Sequence, residues 1–271
     1  MQYADLIAAM RRYGAAPEAA CRRTLGVEAT RVRAGVIVTP GWPPERFGAL
    51  GRAELMGRGL NSVRAYDLPD CGLTYVMAGY GAPVVLDAVL ALGLTGCQRV
   101  LFVSSVGALD PDMAIGDLVV THSTVCGDGA SRYIASADLA FDAFGERMTP
   151  DAALLDRLDA IAARHCRACG VRLHVGRTFC TDTLFAQYAH IDAIRARGCN
   201  GLDMELAAAL RAAKLCGLPI AALSCVSDNT AAGRSLLNAH TEADERRRAY
   251  VRGEVMPGIV RELFEDLVNA G

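Results

Sequence analysis

Residues 201–229, GLDMELAAALRAAKLCGLPIAALSCVSDN, constrain the architecture more than any other stretch. They read as a loop, a helix, a short turn and a strand. Asp203 and Glu205 fall where the loop becomes the helix, and Ser227, Asp228 and Asn229 fall where the strand runs out. In open α/β sheets, ligands bind in the crevice beyond the carboxyl ends of strands. Two acidic groups delivered to such a rim point to a site for a sugar or a base.

The rest of the chain repeats the alternation. β-branched or continuously apolar runs predict strands at 35–39, 63–67, 73–78, 99–104, 116–121 and 171–178. Helices are predicted at 45–58, from the Gly79-Tyr80-Gly81-Ala82-Pro83 turn to Leu92, at about 152–169, and at 191–197, 242–251 and 257–267. A small-residue turn is expected at 104–108, a loop at 126–131 and irregular chain at 136–150. Strands that alternate with helices and also occur in adjacent pairs give an α/β fold, three layers α/β/α around a twisted mixed central sheet. Residues 1–34 read as a helical N-terminal extension, packed on the body or on a neighbouring subunit, and 35–271 as a single α/β domain.

Composition removes several function classes. A net charge of -2 leaves no footprint for nucleic acid or an anionic membrane. No apolar run is long enough for a membrane span. Lys214, the only lysine, has no glycine before it and Leu215 after it, which excludes a Walker-type phosphate loop. The ten cysteines lie mostly in apolar runs, where reduced cysteine behaves as a small hydrophobe, so a reducing compartment, the cytoplasm, is expected. Cys166 and Cys169 beside His165 have no second pair at ligand spacing; they read as one face of a helix, and no metal is expected.

Five segments in order resemble one family, the purine nucleoside and uridine phosphorylases with their nucleosidase relatives. They are Gly79-Tyr80-Gly81-Ala82-Pro83; Ser105-Val106-Gly107-Ala108 with Gly116-Asp117-Leu118-Val119-Val120; Asp128-Gly129-Ala130-Ser131; Asp203-Met204-Glu205; and Val226-Ser227-Asp228-Asn229. The resemblance implies cleavage of the N-glycosidic bond of a nucleoside, no organic cofactor, and a homo-oligomer (dimer, trimer or hexamer). It implies that Met204 and Glu205 hold the ribose, the carboxylate accepting from its 2′- and 3′-hydroxyls. Asp228, oriented by Ser227, would face the base and protonate it as it leaves. The uridine branch carries no aspartate there, so a purine is favoured. Leu184 stands where the family stacks a phenylalanine on the base, with Phe185 adjacent. Arg234, Arg246 and Arg247 are candidates for the arginine that supports the base-side acid.

The departures bear on the nucleophile. The arginines that grip phosphate in the family map to Phe102 and, counting four from Gly41, to Glu45. Neither is positive, and a carboxylate repels phosphate. Nucleosidase relatives carry a water-activating glutamate near the second position. The sequence therefore leans to hydrolysis, with Glu45 as general base and Phe102 excluding phosphate. A shift of one residue brings Arg46 into the same place, and phosphorolysis is then served by Arg46, Ser105 and the amides around Gly81. A non-catalytic nucleoside-binding protein on the same fold is the third reading. No histidine precedes His122, so the histidine that phosphorylases borrow from a neighbour for the 5′-hydroxyl has no counterpart.

Overall fold

A computed structural model of the chain describes residues 1–269; the last two residues of the expected domain lie outside the described residues. The strands are β1 Gly35–Thr39, β2 Glu54–Arg58, β3 Arg64–Leu68, β4 Leu73–Met77, β5 Arg99–Ala108, β6 Leu118–Val125, β7 Arg147–Met148, β8 Leu173–Cys180, β9 Gly201–Asp203 and β10 Ile220–Asn229. The helices are α1 Tyr3–Arg12, α2 Pro17–Leu25, α3 Ala82–Leu92, α4 Gly129–Tyr133, α5 Ala152–Cys169, α6 Ile191–Ala196, α7 Leu206–Cys216, α8 Glu242–Tyr250 and α9 Met256–Asn269, with a π-helical turn, Val251–Val255, between the last two. Among the described residues no helix is long and apolar enough to cross a membrane.

All ten strands join one mixed sheet. β1 lies parallel to β4 and β5, and β5 parallel to β10, whereas β2, β3 and β4 form an antiparallel meander at one edge. At the other end the sheet curls. β10 pairs with both β5 and β6, β6 with β8, β8 with β9, and β9 with β5, so five strands close into a ring.

Side-chain alternation sorts the core into two layers. Val36, Val38, Val100 and Phe102 face α2, α3 and α7. Ile37, Leu101 and Val103 face α5 and α9 on the opposite side of the sheet. The three-layer mixed architecture expected from the sequence is the one observed.

Four local expectations are corrected. The helix predicted at 45–58 is a 3-10 turn over Pro44–Leu50 followed by β2. Gly51 at φ 91 ends the turn, and residues 54–58 find an antiparallel partner in β3, which outweighs a weak helical pattern. The small-residue turn at 104–108 is strand, because β9 and β10 pair there with β5. The loop expected at the start of 201–229 is β9, held between β5 and β8, and α4 replaces part of the loop at 126–131.

Candidate functional site

A cavity of about 270 Å³ opens where β1, β5 and β10 run out at their carboxyl ends, with β9 beside them. Its lining comes from Pro40, Gly41, Trp42 and Arg46 after β1, from Tyr80, and from Ser104, Ser105 and Gly107 of β5. It is completed by Leu184 and Gln187, by Leu202–Glu205 around β9, by Ser227 and Asp228 of β10, and by Leu236 and Arg248.

Glu205 sits at the N-terminus of α7, buried, and accepts the Gly81 backbone N–H at 2.8 Å. Gly81 has φ 102, a conformation that glycine adopts without strain, and it brings that N–H to the carboxylate at the start of α3. Burial pushes the Glu205 carboxyl up to about 7; the Gly81 hydrogen bond opposes that shift and the nearby Asp203 reinforces it. Asp203 turns inward and accepts the Glu205 and Leu206 N–H groups at 3.1 and 2.8 Å. It therefore satisfies the first N–H of α7, and it lines the cavity together with Met204 and Glu205.

Asp228 reaches the cavity through a bulge. The β5–β10 register shifts between Val226 and Asp228, so strict alternation breaks and both Ser227 and Asp228 line the site. Gly107 of β5 faces the Asp228 carboxylate, and a Cβ there would stand 3.3 Å from Oδ1. The Ser227 hydroxyl donates to Asp228 Oδ1 at 2.6 Å, and the Leu236 N–H to Oδ2 at 3.2 Å. Both bonds favour the anion, yet burial dominates and raises the carboxyl above its ordinary value. Such an acid holds a proton to higher pH than a surface aspartate and can deliver it to a leaving group. Asn229 locks the strand end: its amide donates to the Asp110 and Met113 carbonyls at 2.8 and 2.7 Å, and its oxygen accepts the Ala232 N–H at 3.0 Å.

Glu205, Met204, Asp228, Ser227, Ser105, Gly41, Arg46 and Leu184 all line one cavity, and Gly81 touches it through Glu205. Three expected residues do not. Glu45 is exposed and lies outside the lining, since the turn that begins at Pro44 presents the next residue, Arg46, to the cavity instead. Phe102 is fully buried in the layer facing α3 and α7, two residues before the strand reaches the site. Phe185 is 84% exposed, and Leu184 alone of that pair reaches the lining.

None of the three candidate arginines of the C-terminal segment lines the cavity. Arg234 pairs with Asp244, Arg246 with Glu242, and Arg247 with Asp117. Arg248 is the one that lines the cavity, and its positive charge favours the Asp228 anion. Helical phase carries this signal: Arg248 precedes the buried Val251, Arg252 and Val255 by three, four and seven residues, whereas Arg246 lies on the exposed face. Trp42 and Gln187 also line the cavity, and no short motif marks them; Tyr80 lines it too, from within the Gly79–Pro83 motif.

A sequence profile described as the phosphorylase superfamily matches residues 58–255. The chain is similar to a uridine phosphorylase of Thermococcus kodakarensis, 26% identical over 219 residues, covering 73% of this chain and 71% of that protein. It is similar to a guanosine phosphorylase of Halorubrum lacusprofundi, 27% identical over 170 residues, covering 62% and 65% of the two chains. Among solved structures, the AMP nucleosidase of Bacteroides thetaiotaomicron shares the fold at a TM-score of 0.68 and 16% identity, over 94% of this chain and 98% of that one. A profile match across well over half of the chain, on a fold that gathers the expected acids at the strand ends, shows that this chain belongs to the phosphorylase superfamily, the family of nucleoside phosphorylases and nucleosidases.

Proposed function

We propose that the cavity binds a purine nucleoside and cleaves its N-glycosidic bond by phosphorolysis. The observation that carries this reading is the exchange at the turn after β1: Arg46, and not Glu45, borders the cavity, in a lining that also holds Ser105 and Gly41. A guanidinium and a hydroxyl suit an oxyanion, and with Glu45 outside the lining no general base for water stands at that end. The hydrolysis favoured by the sequence depended on Glu45, and it becomes the second reading.

The chemistry follows from the residues. Glu205 accepts the ribose 2′- and 3′-hydroxyls and, as an anion, favours the positive charge that grows on the sugar as the bond stretches. Asp228 passes its proton to N7 of the base. The C1′–N9 bond breaks with its electrons going to the base, and a phosphate oxygen forms the new bond to C1′. The products are the free purine and ribose 1-phosphate. Leu184 and Leu236 give the base apolar walls, and Gln187 a hydrogen-bonding edge. Tyr80, Phe185 and Leu237, exposed near this lining, favour a second copy of the chain over the mouth, hence a homo-oligomer. Ten unpaired cysteines fit the reducing cytoplasm.

The test is cleavage of inosine, guanosine, adenosine and uridine with and without phosphate. Strict dependence on phosphate, with ribose 1-phosphate formed, is the expected result. Free ribose formed without phosphate replaces phosphorolysis with hydrolysis. In the same assay Asp228→Asn is expected to lower turnover on purines by about two orders of magnitude, and equal turnover removes Asp228 from the mechanism.

A further inference from the structure

Arg252 is anomalous. It is 6% exposed, and its Nε and Nη2 have no hydrogen-bond partner. Among the described residues it makes no ion pair, although a buried guanidinium is normally matched by a carboxylate. Its guanidinium lies over the Trp42 ring at 4.5 Å from the centroid. The charges that bear on it most are those of two further arginines, Arg248 and Arg46, and the Cys225 thiol of β10 lies against it. Burial chiefly, and then those two like charges, weaken its hold on the proton.

The position gives the anomaly a direction. Trp42, Arg46 and Arg248 line the cavity, and Arg252 stands directly behind Trp42. Cys225 pairs in register with Ser105, so the unpaired charge lies at the Ser105 end and not at the ribose carboxylate. The segment that carries Arg252 is the π-helical turn Val251–Val255, packed against the turn that carries Arg46. Such turns are uncommon and recur at functional sites. Arg248 is paired with Glu245 at 2.9 Å, whereas Arg252, the innermost of the three positive groups, has no acid among the described residues.

We propose that Arg252 completes an anion-holding cluster with Arg46 and Arg248, supplying from the C-terminal segment the charge for phosphate that Phe102 does not supply from β5. The proposal rests on the phosphorolysis reading for the identity of the anion. Arg252 is a positioning residue. It acts through its field across a water-poor wall, where charge is poorly screened, and by holding Trp42 from behind.

The experiment compares Arg252→Met and Arg252→Lys with the parent protein in phosphate titrations, reading both steady-state kinetics and melting temperature. Phosphate that binds the native state raises the melting temperature. For Arg252→Met the expected results are a KM for phosphate raised about tenfold or more, a nucleoside KM within about twofold, and loss of most of the phosphate-induced rise in melting temperature. Arg252→Lys keeps the charge and is expected to recover part of both. A Met variant that melts lower in plain buffer but keeps its phosphate KM and its phosphate-induced rise overturns the proposal, because Arg252 then only supports Trp42. If the Met variant does not fold, Arg252→Lys and Arg252→Gln carry the comparison, and equal phosphate KM values in those two overturn it. Failure of the parent reading looks different: cleavage without phosphate removes phosphorolysis, whereas a parent protein whose melting temperature ignores phosphate removes the cluster.

Discussion

Glu205 is held in an environment that opposes its own charge. The unfolded chain ionises it near 4.5, whereas the folded, unliganded protein keeps its proton up to about 7. Between those values the native state binds a proton that the unfolded state has released, so this group makes stability fall as pH rises, and above about 7 its penalty is constant. In the proposed role, ribose hydroxyls would reverse the preference, because hydroxyl donors favour the anion. Nucleoside affinity is therefore expected to strengthen as pH rises from 6 towards 8 and then to level, as followed by titration calorimetry. Glu205→Gln keeps an acceptor for the Gly81 N–H but never charges. It is expected to melt higher than the parent at pH 8 without ligand, to lose the pH dependence of binding, and to drop kcat/KM by about two orders of magnitude. A variant that melts lower at pH 8 and keeps its kcat/KM contradicts this account.

Elements deliver these groups, and the sequence made some of them legible and others not. The placement of Glu205 and Asp228 on the cavity is legible in the sequence because each ends a recognisable unit, the start of α7 and the end of β10. Glu45 was misplaced because its location depends on the pitch of the Pro44–Leu50 turn, in which one residue decides which side chain faces the cavity. The predicted helix at 45–58 failed for a related reason: β2 exists only through its partner β3, and no local pattern announces a partner. The β10 bulge was equally hidden, since it arises from pairing with β5. Arg248 was readable from helical phase, although three consecutive arginines obscured it. At the β10 end the element-scale prediction concerns Asn229. Asn229→Ala removes three hydrogen bonds and leaves buried carbonyls unpaired, so a loss of about 2–3 kcal/mol is expected in chemical denaturation. Activity should fall with it, because the bulge that aims Asp228 loses its anchor. A stability change below about 0.5 kcal/mol speaks against the anchor.

At the scale of the whole molecule, the N-terminal helices belong to the packed layers. Cys21 and Leu25 of α2 are fully buried with α3 and α7, and the Tyr3 hydroxyl of α1 donates to the Leu90 carbonyl at 2.6 Å. Gly93 makes room for this contact: a Cβ there would stand 2.7 Å from the Cys216 sulfur and 2.9 Å from the Tyr3 ring. Tyr3→Phe is expected to cost about 1 kcal/mol, a fall of about 2–4 °C in melting temperature, with kcat and KM unchanged, since Leu90 lies at the end of α3 remote from Gly81. Altered kinetic constants show instead that α1 reaches the site.

The closed ring of β5, β10, β6, β8 and β9 also sets an order of events during synthesis. β5 leaves the ribosome early, yet two of its pairings wait for β9 and β10, more than ninety residues later in the chain. Until then its edge is open and Ser105, Gly107 and the Phe102 face have nothing to close against. Contacts of such long sequence separation form slowly, because the intervening chain must be ordered first. A nascent chain that has extruded only β1 to β8 holds part of the cavity lining and neither Glu205 nor Asp228. Premature termination before β10 therefore leaves out Asp228 and leaves the β5 edge unpaired, a form marked for aggregation or proteolysis.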